Sequence, residues 1–157
     1  MKATTPPNPS TSFKINIPLV VTHDDLSSLL CSAFEDGGHG DWKTILDTPE
    51  ALQEAAARGQ MPEGEWMNYP IYCVGHPDWA VKIVDRFHED APLNLADMMK
   101  GSGAAFHTLT LDDLKKGFKL FARKGDRHFR NWQSQNTDAT TANVFLQFCL
   151  FGEVRYP

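Results

Sequence analysis

The chain has 157 residues, of which 41% are hydrophobic and 11% aromatic, with a formal net charge of −5. That length suits one hydrophobic core, the composition is globular rather than disordered, and no apolar run approaches the roughly 18 to 20 residues of a membrane span. The charge is unevenly spread: ten acidic residues oppose two basic ones between His23 and Glu65, whereas seven basic residues oppose three acidic ones between Asp112 and Arg130. Such polarity can steer a partner, but the domain-wide basic footprint of a nucleic-acid binder is missing.

Residues 1–12 are polar and Pro-rich and lack the apolar centre of a secretory signal. They are expected to form a flexible tail ahead of a single globular domain over 13–157, in a cytoplasmic protein with no membrane partner. Phe13–Ile17 alternates apolar and polar residues, as a half-buried strand does, before Pro18. Thr22 then precedes Asp25 in a capping box with Asp in place of Glu, and Leu26, Leu29, Leu30, Ala33 and Phe34 follow at helical spacing. Gly37, Gly38 and Gly40 surround His39 in a loop that Trp42 returns to the core. Asp47-Thr48-Pro49 opens a short helix over Ala51–Arg58, and Gln60–Pro70 reads as a connection.

Ile71–Val74 and Ala80–Val84 are rich in strand formers around the turn-like Gly75–Asp78, so a hairpin is expected at the centre of a sheet. Leu93-Asn94 starts a small helix through Met98 and Met99 to Gly101, and Ala104–Leu109 adds a strand. Thr110-Leu111-Asp112-Asp113 repeats the Thr-x-x-Asp cap and opens a helix with Leu111, Leu114, Phe118, Phe121 and Ala122 on one face. The last helix, Asp138–Phe151, is apolar around most of its circumference, with a polar strip only through Thr140, Asn143 and Gln147. A helix of that kind must be buried, and a buried Gln147 needs a structural hydrogen bond. Gly152 suits the left-handed stop, after which Val154–Tyr156 turns back as a strand-like tail. The expected fold is α+β: a small, mainly antiparallel sheet packed against about four to five helices, with the C-terminal helix buried.

Chemistry is sparse. Six histidines form no His-x-x-x-His or Glu-x-x-His pair, and no nucleophile elbow or phosphate-binding glycine loop occurs. His88-Glu89-Asp90 is the nearest metal-like cluster and reads as a solvated loop, because structural metal sites draw about four convergent ligands. Cys31, Cys73 and Cys149 are odd in number and embedded in apolar sequence, as buried free thiols are. No catalytic residue, metal or cofactor is therefore assigned. Lys115, Lys116, Lys119 and Arg123 share one flank of their helix, with Arg127 beyond them, and read first as a solvated helix face. Mixed with Phe129 and Trp132, the same stretch to Arg130 offers nucleic-acid contact as an alternative. Together with Trp42 and His39 at the glycine turn, these residues are the candidate partner-binding positions, and a small-ligand or hydrolytic site at Gly37–Trp42 is a further alternative.

Asp138-Ala139-Thr140-Thr141-Ala142-Asn143-Val144-Phe145-Leu146-Gln147, continuing through Phe151-Gly152-Glu153, resembles the C-terminal motif of a family of small uncharacterised phage and prophage proteins. The family's upstream Leu-Thr-Leu-Asp-x-Leu-x-x-Gly helix is matched by Leu109–Gly117, and its early Glu-Gly-Gly-x-x-Tyr-Trp turn by Glu35, Gly37, Gly38 and Trp42. Here Asp36 intrudes, Asp41 stands where Tyr is usual, and Asn143 replaces Asp. The resemblance carries no established activity. It implies an accessory protein acting by protein binding on a host or phage protein, in the host cytoplasm, with modulation of a defence system as the expected role and homo-oligomerisation open.

Overall fold

Two Thr-x-x-Asp sequences each close into a reciprocal cap. In the computed structural model, which describes residues 17–34, 42–45, 57, 74, 77–100 and 102–156, α1 spans His23–Phe34. Its Thr22 Oγ1 accepts from the Asp25 amide at 3.2 Å while Asp25 Oδ2 accepts from the Thr22 amide at 2.8 Å. The same exchange between Thr110 and Asp113, at 3.3 and 3.0 Å, starts the later helix over Leu111–Lys124. Each box satisfies amide donors that the first helical turn leaves unpaired. Apolar spacing then turns Leu29, Leu30 and Ala33 of α1 into the core.

β1 (Trp42–Ile45), β2 (Ala80–Asp85) and β3 (Phe106–Thr110) form an antiparallel sheet in the order β1-β2-β3. Trp42 lies opposite Asp85 and Ile83 opposite His107. Of the hairpin expected between Ile71–Val74 and Ala80–Val84, residues 71–73 lie outside the described residues. β2 is the central strand, as expected, with β1 on one edge and β3 on the other. Val74, the described end of the other half, is a buried turn residue. Trp42 begins β1 and is buried, in keeping with its expected return of the chain to the core. The strand expected at Phe13–Ile17 lies outside the described residues except for Ile17, which is irregular and 82% exposed. Of the helix expected at Ala51–Arg58 only Ala57 is described, and it is helical.

A short α2 (Leu95–Met99) is capped by Asn94, whose side chain accepts from the Asp97 amide at 2.9 Å. α3 (Leu111–Lys124), α4 (Asp126–Gln133) and α5 (Ala139–Phe151) follow. α5 is capped by Asp138 through the Thr141 amide at 2.7 Å and stopped by Gly152 at φ 73°. It is buried at Thr141, Ala142 and Val144–Cys149 and packs against α3, α1, α4 and β3. Leu114, Phe118 and Phe121 of α3 meet Phe145 and Phe148 of α5 in this core, with edge-on ring pairs among them. Gly117 lets α3 and α5 touch: a Cβ there would lie 2.6 Å from the Cys149 Cα and 2.7 Å from its amide nitrogen. The chain is thus α+β, five helices around a small antiparallel sheet among the described residues, with the C-terminal helix inside. Cys149 is a buried free thiol and Cys31 is half-buried; Cys73 lies outside the described residues.

Candidate functional site

The polar strip of α5 is used internally. Gln147, 1% exposed, accepts from the amides of Arg155 at 2.7 Å and Tyr156 at 2.8 Å, and donates to the Tyr156 carbonyl and to Asn143 Oδ1. Asn143 Oδ1 also accepts from the Trp42 indole at 3.2 Å. Beyond that point the Tyr156 hydroxyl donates to Asp85 Oδ2 at 2.7 Å, and its ring stacks on Phe87 at 4.4 Å. Burial with partners is how polar groups survive in a core. The expected structural bond of Gln147 is present, and the expected strand-like tail at Val154–Tyr156 is held by these bonds rather than by strand pairing.

Trp42 is the clearest displacement of a candidate. It is 3% exposed, hydrogen-bonded to Asn143 and packed against Phe151 and Tyr156, so it is a core residue and not a partner-binding one. His39 and the glycines of its turn lie outside the described residues. His107 sits edge-on to Phe151 at 5.3 Å, with Nε2 buried and without a partner among the described residues. Burial holds its pKa below the usual histidine value, against the pull of the Asp85 carboxylate. The Cys149 thiol is pushed up by burial, the opposite of what a reactive cysteine needs. His88 and Asp90 share one turn while Glu89 is exposed, and no group of residues able to hold a metal ion occurs among the described residues.

The basic flank leads to an open surface. A cavity of about 560 Å³ runs between α3 and the entry to α1. Leu111, Leu114 and Phe118 of α3 line its floor and Ala122 its exposed edge, Leu19, Val21 and Leu26 its opposite wall, and Lys115, Lys119 and Arg123 its rim. Val21 and Leu26 hold the positions of a hydrophobic staple around the Thr22 cap, so the motif that starts α1 also builds this wall. The walls are mainly apolar, and the volume falls within the roughly 300 to 1,000 Å³ of ligand pockets. Lys115 pairs with Asp112 at 3.7 Å on the surface; Lys119 and Arg123 have no ion-pair partner among the described residues. No carboxylate is among the described lining residues. Comparison with protein-family models, with curated proteins and with solved structures finds no match.

Of the candidate positions, Lys115, Lys119 and Arg123 are brought together at this groove, whereas Lys116 is exposed on α3 without lining it. Arg127 belongs to α4, where its side chain contacts His128 at 3.3 Å. The apolar half of the site escapes a sequence reading: Leu26, Leu111 and Ala122 look like core-facing positions, and Leu19 and Val21 precede any periodic element. One signal was present in the run Ile17-Pro18-Leu19-Val20-Val21, apolar beyond what one staple residue requires. No described helix is long and apolar enough to cross a membrane.

Proposed function

We propose that this protein works by binding, as a non-catalytic accessory protein of phage or prophage type that engages a host or phage protein and modulates a host defence system. The observation that carries the binding reading is the apolar groove between α1 and α3 with its rim of Lys115, Lys119 and Arg123. A concave, mainly apolar site with a few polar groups at its edge is where proteins take up ligands and partner side chains. The phage-type role rests on the sequence resemblance, and its motif supports the scaffold rather than a reaction: Asp138, Asn143, Gln147 and Gly152 cap, bridge and stop α5. A single-stranded nucleic-acid reading would ask for exposed aromatic faces beside the cations, and Phe118, the one Phe, Tyr or Trp among the described lining residues, is 6% exposed.

A photo-crosslinking residue placed at Ala122, on the exposed edge of the groove, tests the reading in host lysate, with the same residue at exposed Glu89 as the control. A discrete protein adduct from position 122 and none from position 89 is expected. Adducts to nucleic acid that vanish with rising salt, or equal labelling from both positions, would contradict it.

A further inference from the structure

Resting on that binding reading, we infer that the partner presents an acidic amphipathic helix to the α1–α3 groove. The α3 residues that line it, Leu111, Leu114, Lys115, Phe118, Lys119, Ala122 and Arg123, follow the i, i+3, i+4 pattern over twelve residue steps. At 1.5 Å per residue this is a trough about 18 Å long, the length of some three helical turns. Its floor is apolar along that whole length, which suits the helix-in-groove mode, read as apolar anchors at successive turns of the partner. The cations stand on one side at Lys115, Lys119 and Arg123, four residues apart and therefore separated by about 6 Å along the axis.

That spacing selects the occupant. A small amphiphile with a single carboxylate could neutralise one rim cation, whereas Lys115 and Arg123 lie about 12 Å apart along α3. A helix carrying Glu or Asp once per turn beside its apolar stripe meets all three. Lys119 and Arg123 have no competing ion pair among the described residues, and Lys115 has only the exposed 3.7 Å contact with Asp112, a class of pair worth little and easily exchanged. A second copy of this chain is a weaker fit, because α3 of that copy would bring the same cations to the groove.

The test uses the full chain and a designed, fluorescently labelled helical peptide of about 14 residues, with leucines at i, i+3/i+4 spacing and a flank of glutamates. A second peptide has lysines in place of those glutamates. The Glu-flanked peptide is expected to bind, to weaken as salt rises, to bind about tenfold more weakly to K119E/R123E, and to be blocked by Ala122→Trp, which fills the groove from its edge. The Lys-flanked peptide is expected to prefer K119E/R123E over the unchanged protein. Equal binding of both peptides, indifference to K119E/R123E and to Ala122→Trp, or no binding of the Glu-flanked peptide would overturn the inference. So would a dimer of the unchanged protein that K119E/R123E dissociates in sedimentation, since a second copy would then fill the groove. If the peptide fails while the Ala122 crosslink still captures a protein, the binding reading survives and only the acidic helix falls.

Discussion

Gln147 is held at both ends of its amide, and that arrangement makes the residue-scale expectations specific. Replacing it by leucine keeps the volume but removes the acceptor for the Arg155 and Tyr156 amides and the donor to the Tyr156 carbonyl. Gln147→Leu should therefore cost about 1 to 3 kcal/mol in denaturant unfolding and free the last residues to exchange their amide hydrogens. His107 sets a pH dependence. Its folded pKa lies below the unfolded value of 6.5, because burial disfavours the imidazolium more than Asp85 favours it, and His88 and Arg155 add to the lowering. The unfolded chain then binds the proton more readily, so stability is fully present above about pH 6.5 and declines as the pH falls from there toward the folded value. His128 is lowered too, through burial and then Arg127, and works in the same direction. Thermal unfolding between pH 8 and pH 5 should show a falling midpoint, and His107→Leu should flatten part of that slope; a slope unchanged in the variant would remove His107 from the explanation.

The elements explain what the sequence could and could not disclose. Helix starts were legible because a cap is a local device: Thr22 with Asp25, Thr110 with Asp113 and Asp138 with Thr141 lie three residues apart. Thr110→Ala should cost about 1 kcal/mol, read from chemical unfolding. α5 was legible as buried because its composition left no face for water. Sheet partners were not legible, since pairing Trp42 with Asp85 across the fold is a long-range choice that no local spacing records. The same holds for Trp42 with Asn143, whose hydrogen bond joins positions 101 residues apart. Packing also reverses a propensity rule at Gly117. Alanine normally strengthens a helix interior by up to about 1 kcal/mol over glycine, but its Cβ would lie 2.6 Å from Cys149 Cα. Backbone cannot yield as a flexible side chain can, so Gly117→Ala should be net destabilising by about 1 to 3 kcal/mol, seen as a lowered unfolding midpoint. A neutral or stabilising result would mean that α3 and α5 are farther apart.

At the scale of the molecule, the charge polarity of the sequence acquires a location. The basic stretch places Lys115, Lys119 and Arg123 beside an apolar trough that α1 and its entry segment close on the other side. The cations were legible one helix at a time; the trough was not, because half of it comes from residues some ninety positions earlier in the chain. The family-like motif meanwhile resolves into scaffold, with Trp42, Gly117 and the α5 residues meeting one another in the interior. The proposed binding function therefore rests on the groove, not on the motif. The most direct test is chemical-shift mapping of the isotope-labelled protein on titration with the Glu-flanked helical peptide. Shifts concentrated at Val21, Leu26, Leu111, Lys119, Ala122 and Arg123 are the predicted result; shifts centred on Asp85, His107 and Tyr156, or none at saturating peptide, would contradict it.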